Sequence, residues 1–211
     1  HVDTIEAMAS RYVPELLALQ PEGAFQMVGY CHGGLIAWEV AHQLEAAGRA
    51  VETLVMIDTF SINARKSVRG IAHTVRLLGS LSPAALGAKM QRRGMPAVWS
   101  STRRLMRKDR SILWRAAKRL YKGPPGSFET MRGAYYIAMA NYLPPCLKAR
   151  VTVVLSDEFA GKVEYGAEAW RGLAPQVERE QVPGDHSTCV TTHVGALASA
   201  LDRHLAASTV S

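Results

Sequence analysis

The stretch Met27-Val28-Gly29-Tyr30-Cys31-His32-Gly33-Gly34 decides the fold of this chain, because it joins an apolar segment to a helical run. The apolar segment covers residues 25–30, and residues 35–48 carry apolar side chains at helical spacing up to a glycine. Glycines stand two residues before and two residues after Cys31. This spacing predicts a strained strand-to-helix turn that holds Cys31 as a nucleophile, because bulky neighbours would block the tight passage of backbone.

The rest of the chain has an alternating order of strands and helices. A helix at 4–19 is predicted from Ile5, Met8, Tyr12, Leu16 and Leu19 on one side, and further buried strands are predicted at 51–57 and 151–155. A last helix is predicted at 190–205. This order indicates an α/β fold with a mostly parallel sheet, in which ligands bind at the carboxyl ends of the strands.

Acidic and histidine side chains follow these strands at positions where they could serve Cys31. Asp58 ends the second strand, Asp157 follows the third, and His186 lies in a loop before the last helix. Nucleophile, acid and histidine thus occur in the chain order found in enzymes that hold their nucleophile on such a strand-to-helix turn. Spacing alone leaves Asp58 and Asp157 open as the acid. Asp185, beside His186, is expected to support the loop.

Three segments together resemble the thioesterase domains that end nonribosomal peptide and polyketide synthetases. They are Gly29-Tyr30-Cys31-His32-Gly33-Gly34, Leu54-Val55-Met56-Ile57-Asp58 and Val182-Pro183-Gly184-Asp185-His186. The resemblance implies an α/β-hydrolase fold, a single domain over residues 1–211, and a helical lid insertion at about 61–145. The family places several strands before the nucleophile turn, so we expect further strands upstream of residue 1.

The resemblance also implies roles for individual residues. Cys31 would be the nucleophile, Asp58 the acid that orients His186, and His186 the base. The backbone NH of His32 would be one donor of the oxyanion hole. Cys31 is a departure, because most family members carry serine there, and it suggests a cysteine-nucleophile subset. Cys146 and Cys189 lack such a context and are interpreted as structural.

The net charge of +7 is concentrated in one block. Residues 61–122 hold sixteen basic side chains and one acidic side chain, Asp109. A solvated helical surface is one interpretation, and nucleic-acid binding is disfavoured because no binding motif accompanies the charge. The resemblance suggests a third, a lid that attracts an acidic carrier protein. Its carrier-binding residues would include Arg103, Arg104, Arg107 and Lys108.

The implied function is release of an acyl or peptidyl chain from a carrier protein. The substrate would arrive on the carrier's phosphopantetheine, and the domain itself would bind no cofactor. A Cys31 thioester stays activated, which favours intramolecular closure of a small strained ring, a β-lactam or β-lactone. The alternatives are a hydrolytic or macrocyclising thioesterase, a cysteine-dependent hydrolase of small esters or lactones, and a non-catalytic module that binds a carrier.

Composition indicates where in the cell this chain acts and which kinds of ligand it lacks. The 211 residues, 48% of them hydrophobic, suffice for one core, and no apolar run reaches the ~18 residues of a membrane span. No signal peptide opens the sequence, and the three cysteines lack metal-ligand spacing and are odd in number. We therefore expect no metal, no membrane and no nucleic acid, and a reducing cytoplasm that keeps a catalytic thiol reduced.

Overall fold

Four parallel strands form the part of the sheet that the structure describes. This computed structural model describes residues 4–61, 63–64, 135, 138–139, 141–162 and 166–206. The strands lie side by side in chain order: β1 (Phe25–Tyr30), β2 (Val51–Ile57), β3 (Arg150–Ser156) and β4 (Val177–Val182). The α/β fold with a parallel sheet that the sequence predicts is confirmed.

Helices cover both faces of this sheet. They are α1 (Ile5–Leu19), α2 (Gly33–Ala46), α3 (Asp157–Ala160) and α4 (Val194–Ala206), with a short 3-10 helix at Ala167–Ala169. Leu54 and Met56 of β2 belong to the core cluster that contains residues of α1 and α2, whereas Val55 and Ile57 pack with α4. Because successive strand residues point to opposite faces, β2 is apolar on both.

The buried stripe of α1 differs from the predicted one. Thr4 caps this helix, accepting a 3.0 Å hydrogen bond from the Ala7 NH. Ile5 and Ala9 are buried, but Tyr12 and Leu19 are 52% and 83% exposed. Placing those two on the apolar side was wrong: the stripe also includes Val13 and Leu17, so its centre is shifted away from Tyr12 and Leu19.

The last strand and the start of the last helix also depart from the sequence prediction. β4 reads Val-Glu-Arg-Glu-Gln-Val and was not predicted, because its charged residues hide any apolar alternation. Residues 190–193, predicted as helix, form turns, and α4 begins at Val194. There the Thr188 carbonyl accepts hydrogen bonds from the NH groups of Thr191 and His193.

Parallel pairing brings the four strand ends to one edge of the sheet. Tyr30 pairs with Ile57, Ile57 pairs with Val154, and Ser156 pairs with Val182. The residues that follow these strands therefore meet at the carboxyl edge, where open α/β sheets bind their ligands.

Most of the predicted lid at 61–145 falls outside the described residues. Arg103, Arg104, Arg107 and Lys108 are among the undescribed positions, so their role stays a prediction, as does the single-domain assignment. Among the described residues, no helix is both long and apolar enough to cross a membrane. The cytoplasmic location also stays a prediction.

Candidate active site

Cys31 occupies the turn between β1 and α2. Its φ of 55° lies in the left-handed region, which non-glycine residues adopt rarely and mostly at functional sites. The Cys31 NH donates a 2.8 Å hydrogen bond to the Ile57 carbonyl of β2, and the Cys31 carbonyl accepts one of 3.3 Å from the Gly34 NH. The predicted sharp turn is therefore present, held by the neighbouring strand and by the first turn of α2.

Two glycines allow the strand and the helix to approach each other at this turn. A Cβ at Gly29 would lie 2.5 Å from the Gly34 Cα, and a Cβ at Gly34 would lie 1.9 Å from the Thr59 Oγ1. A Cβ at Gly33 would meet no atom within 4 Å. The steric argument from the sequence thus holds for Gly29, but on the other side of Cys31 the crowded position is Gly34 rather than Gly33.

Gly34→Ala should therefore destabilise the protein by about 2–3 kcal/mol, since Thr59 or the start of α2 must move to admit the methyl group. Gly33→Ala is the matched control, and we expect a change below about 1 kcal/mol, because alanine is the better helix former. Urea denaturation measures both. Equal losses in the two variants would contradict the close approach of Gly34 to Thr59.

Asp58 follows β2 and is buried at the same edge as Cys31. Its φ of 45° is the other left-handed value at a non-glycine position among the described residues. One carboxylate oxygen, Oδ1, accepts a 2.8 Å hydrogen bond from the Ser156 NH at the end of β3. The other, Oδ2, lies 3.1 Å from Nδ1 of His186. Both oxygens of this buried acid thus have partners, and one of them is an imidazole.

His186 is held in the loop after β4 by contacts on several sides. The Tyr30 ring stacks on its imidazole with centroids 4.8 Å apart, and the Phe159 ring meets it edge-on at 5.4 Å. Its backbone NH donates a 3.2 Å hydrogen bond to Glu158 Oε2. The imidazole remains 29% exposed. The histidine is therefore fixed in place but still open on one side.

Two further acids near His186, Asp157 and Asp185, accept hydrogen bonds from NH groups of the loop that carries it. Asp157 accepts hydrogen bonds from Gln181 Nε2 at 2.7 Å and from the Gly184 NH at 3.2 Å. Asp185 accepts 2.8 Å bonds from the NH groups of Ser187 and Thr188, as an acid that supports the loop would. The carboxylate that contacts the His186 imidazole is that of Asp58.

The surroundings of Cys31 favour the neutral thiol. Burial raises the pKa of Cys31 most, the backbone NH of His32 acts in the opposite direction, and the Asp58 charge raises it further, so the net direction is upward. The effect of the His32 NH is to stabilise negative charge on the sulfur. The Tyr135 hydroxyl donates a 2.7 Å hydrogen bond to the His32 carbonyl, and the centroids of the Tyr135 ring and the His32 imidazole are 4.7 Å apart.

A raised thiol pKa predicts how Cys31 reacts with iodoacetamide. The thiolate is the reactive form, so the rate should climb with pH to a midpoint above the ~8.5 of an ordinary cysteine. A Cys146→Ser, Cys189→Ser variant confines the reaction to Cys31, and peptide mass spectrometry measures its rate. A midpoint below about pH 7 would instead indicate a thiolate already paired with imidazolium.

The two remaining thiols differ from Cys31 in their surroundings. Cys146 is exposed. Cys189 is buried, with its Sγ 3.3 Å from the His186 carbonyl and 3.8 Å from Asp58 Oδ2. Burial is the largest cause that raises the pKa of Cys189 to about 11, followed by the Asp58 charge. Residues 4–206, as far as they are described, hold no cluster of three acid, cysteine or histidine side chains suited to a metal ion.

Comparison with known proteins identifies the family of this site. The thioesterase domain family matches residues 1–205. The chain belongs to the thioesterase domain family. It is an enzyme family of the α/β-hydrolase fold whose members need no bound cofactor.

Relatives of this thioesterase domain are long synthases. Polyketide synthase PksR of Bacillus subtilis is 49% identical over 55 residues, which are 26% of this chain and 2% of the relative. A dimodular nonribosomal peptide synthase of the same organism is 27% identical over 115 residues, 52% of this chain and 5% of the relative. The chain thus matches only a few per cent of the length of these curated relatives.

A solved structure with the same fold is a covalent complex of the NocB thioesterase domain with a fluorophosphonate nocardicin G analogue. It has a TM-score of 0.57 and 24% identity, over 96% of this chain and 74% of that one. At this identity the likeness concerns the fold. It agrees with the α/β fold and its parallel sheet.

Proposed function

We propose that this thioesterase domain releases an acyl or peptidyl chain from a carrier protein through a thioester on Cys31. The observation that carries the proposal is the meeting of a strained cysteine turn with a buried Asp58–His186 pair at one edge of the sheet. Tyr30, which precedes Cys31 in the chain, stacks on His186, so the turn and the imidazole are neighbours. The two synthase relatives support a carrier as the source of substrate.

The first step is a thiol exchange in which His186 moves one proton. Nδ1 of His186 faces Asp58, which leaves Nε2 to accept the Cys31 proton while the sulfur attacks the substrate carbonyl. The raised pKa of Cys31 favours a general-base step over a preformed thiolate. As the C–S bond of the incoming thioester breaks, the imidazolium returns the proton to the phosphopantetheine sulfur. One thioester replaces another, so the step is close to energetically even.

The oxyanion of this step needs hydrogen-bond donors that are already in place. The His32 NH is one, because it already acts on the Cys31 sulfur. Tyr135 donates to the His32 carbonyl, which belongs to the next peptide group along the chain, and so holds His32 on its carboxyl side. Tyr135 gave no signal in the sequence, since it lies in the predicted lid among residues with no motif.

Release proceeds by attack of the substrate's own hydroxyl or nitrogen on the Cys31 thioester. His186 takes the proton of that nucleophile and returns it to the Cys31 sulfur as the C–S bond breaks, which forms the ring and restores the thiol. A four-membered ring is strained, and a thioester retains more of the activation needed than the oxoester of a serine enzyme. Sulfur at position 31 therefore favours a β-lactone or β-lactam product.

The test gives wild type and Cys31→Ser a 3-hydroxyacyl chain on a carrier's phosphopantetheine, and the same chain as a free ethyl ester. Intact-protein mass spectrometry locates the acyl group, and small-molecule mass spectrometry separates β-lactone from linear acid. Lactone from wild type with linear acid from Cys31→Ser is the expected result. Linear acid from both proteins would indicate a hydrolytic thioesterase. Faster reaction with the free ester than with the carrier-bound chain would indicate a small-ester hydrolase. If neither protein forms an acyl adduct, the domain would be a non-catalytic module.

A further inference from the structure

Tyr30 is the last residue of β1 and contacts His186 in two ways. Its ring lies nearly parallel to the imidazole, with centroids 4.8 Å apart and planes at 19°. Its hydroxyl donates a hydrogen bond to the backbone carbonyl of the same histidine. One side chain thus holds both the ring and the backbone of His186, across 156 residues of chain.

The hydroxyl of Tyr30 is suited to remain a donor. Burial, followed by the charges of Cys189 and Cys31, raises the pKa of Tyr30 to about 12, so the phenol stays protonated at working pH. The carbonyl that it contacts also accepts from the Cys189 thiol at 3.3 Å. Two donors from different elements therefore fix the backbone that carries the imidazole.

We propose that Tyr30 is a positioning residue for His186 and that its ring face stabilises the imidazolium formed when Cys31 gives up its proton. This rests on the proposed function, in which His186 is the base. Asp58 fixes Nδ1, the Tyr30 ring fixes the plane of the imidazole, and the Tyr30 hydroxyl fixes its backbone. A base placed this way can meet the thiol proton without first being reoriented.

The electrostatic part follows from the electron-rich face of the phenol ring. A cation over such a face is attracted by the ring quadrupole. Charged or titratable groups around His186 include Cys31, which follows Tyr30, Asp58 after β2, Asp157 and Glu158 of α3, and Asp185 and Cys189 of its own loop. A Tyr30→Leu variant keeps all of these residues and removes the ring face, so it tests the contribution of the ring.

The experiment compares Tyr30→Phe, which keeps the ring, with Tyr30→Leu, which loses ring and hydroxyl. Tyr12→Leu, at an exposed tyrosine of α1, is the matched control. Acylation of Cys31 by an acyl-N-acetylcysteamine thioester is followed by rapid-quench mass spectrometry from pH 5 to 9. We expect Tyr30→Phe to acylate about two- to tenfold more slowly, the range for loss of one hydrogen bond, with an unchanged pH profile.

Tyr30→Leu should be slower again, and the acid limb of its profile should move to lower pH by about half a unit. The reason is that a less stabilised imidazolium gives up its proton more readily, so neutral His186 persists further into acid. If Tyr30 only supported the fold, its replacement by leucine would lower the acylation rate equally at every pH. An unmoved acid limb in Tyr30→Leu, or a wild-type rate in Tyr30→Phe, would overturn the proposal.

These outcomes are separable from failure of the proposed function. If wild type forms no adduct on Cys31, or if His186→Ala acylates at the wild-type rate, the thioesterase mechanism fails whatever Tyr30 does. If Tyr30→Leu does not fold, as circular dichroism would show, the Tyr30→Phe rate still decides the positioning role.

Discussion

Replacing Cys31 by alanine should abolish the acyl-enzyme and lower turnover by about 10⁶-fold, the size of effect that loss of a nucleophile has in a serine enzyme. The remaining His186–Asp58 pair has no thiol to deprotonate. Alanine keeps a Cβ at the left-handed position, so the backbone strain of the turn is the same in both proteins. We therefore expect nearly normal thermal unfolding, which separates a lost nucleophile from a lost fold.

Two matched variants control this result. Cys146→Ala removes an exposed thiol and should leave acylation unchanged. Cys189→Ala removes a buried thiol that contacts Asp58 and the His186 carbonyl, and the adduct on Cys31 should still form. Intact-protein mass spectrometry after incubation with the acyl thioester measures all three. An adduct on Cys146 or Cys189 in the Cys31→Ala protein would end the assignment.

The parts of the fold that the sequence predicted are those with a local signal. β2 and β3 are short apolar runs, and the nucleophile turn is marked by glycines on both sides of Cys31. In each case the residue types themselves carry the information, through apolar content or through the absence of a Cβ. The parallel order follows because each strand is joined to the next by a long crossover connection.

The parts that the sequence missed depend on tertiary contacts. β4 is a polar strand that is defined by pairing with β3, and no window of its own sequence reveals it. Gly33 and Gly34 look equivalent in the sequence, yet only Gly34 lies against Thr59. The contact of Tyr30 with the His186 carbonyl joins residues 156 positions apart, which composition and spacing do not reveal.

In the candidate site, too, some features follow from the sequence and others depend on tertiary contacts. Chain order left Asp58 and Asp157 as rival acids, because both follow a strand and both lie near the carboxyl edge. The structure separates them by their partners: Asp58 Oδ2 faces the imidazole, whereas Asp157 accepts from Gln181 and Gly184. That difference is a matter of a few ångströms at the ends of adjacent strands, which no spacing rule resolves.

Asp58→Asn should lower turnover by about 10⁴-fold, the effect of the same change in a well-studied triad. An asparagine can still accept the Ser156 NH through its oxygen, which leaves its amide NH₂ directed at Nδ1 of His186. Nδ1 would then have to accept a hydrogen bond, and the proton of the neutral ring would move to Nε2. The nitrogen needed to take the Cys31 proton would already carry one.

Asp157→Asn is the matched control, since it makes the same chemical change one strand away. Its partners are the Gln181 amide and the Gly184 NH, and we expect less than about a threefold change in turnover because the imidazole keeps Asp58. Steady-state turnover of the acyl thioester and thermal unfolding should be measured for both variants. The result expected is a large loss of turnover in Asp58→Asn with little change in stability, because the amide fits the same space. Should Asp157→Asn instead be the inactive protein, the base would be oriented from β3, and the 3.1 Å contact between Asp58 and His186 would be structural.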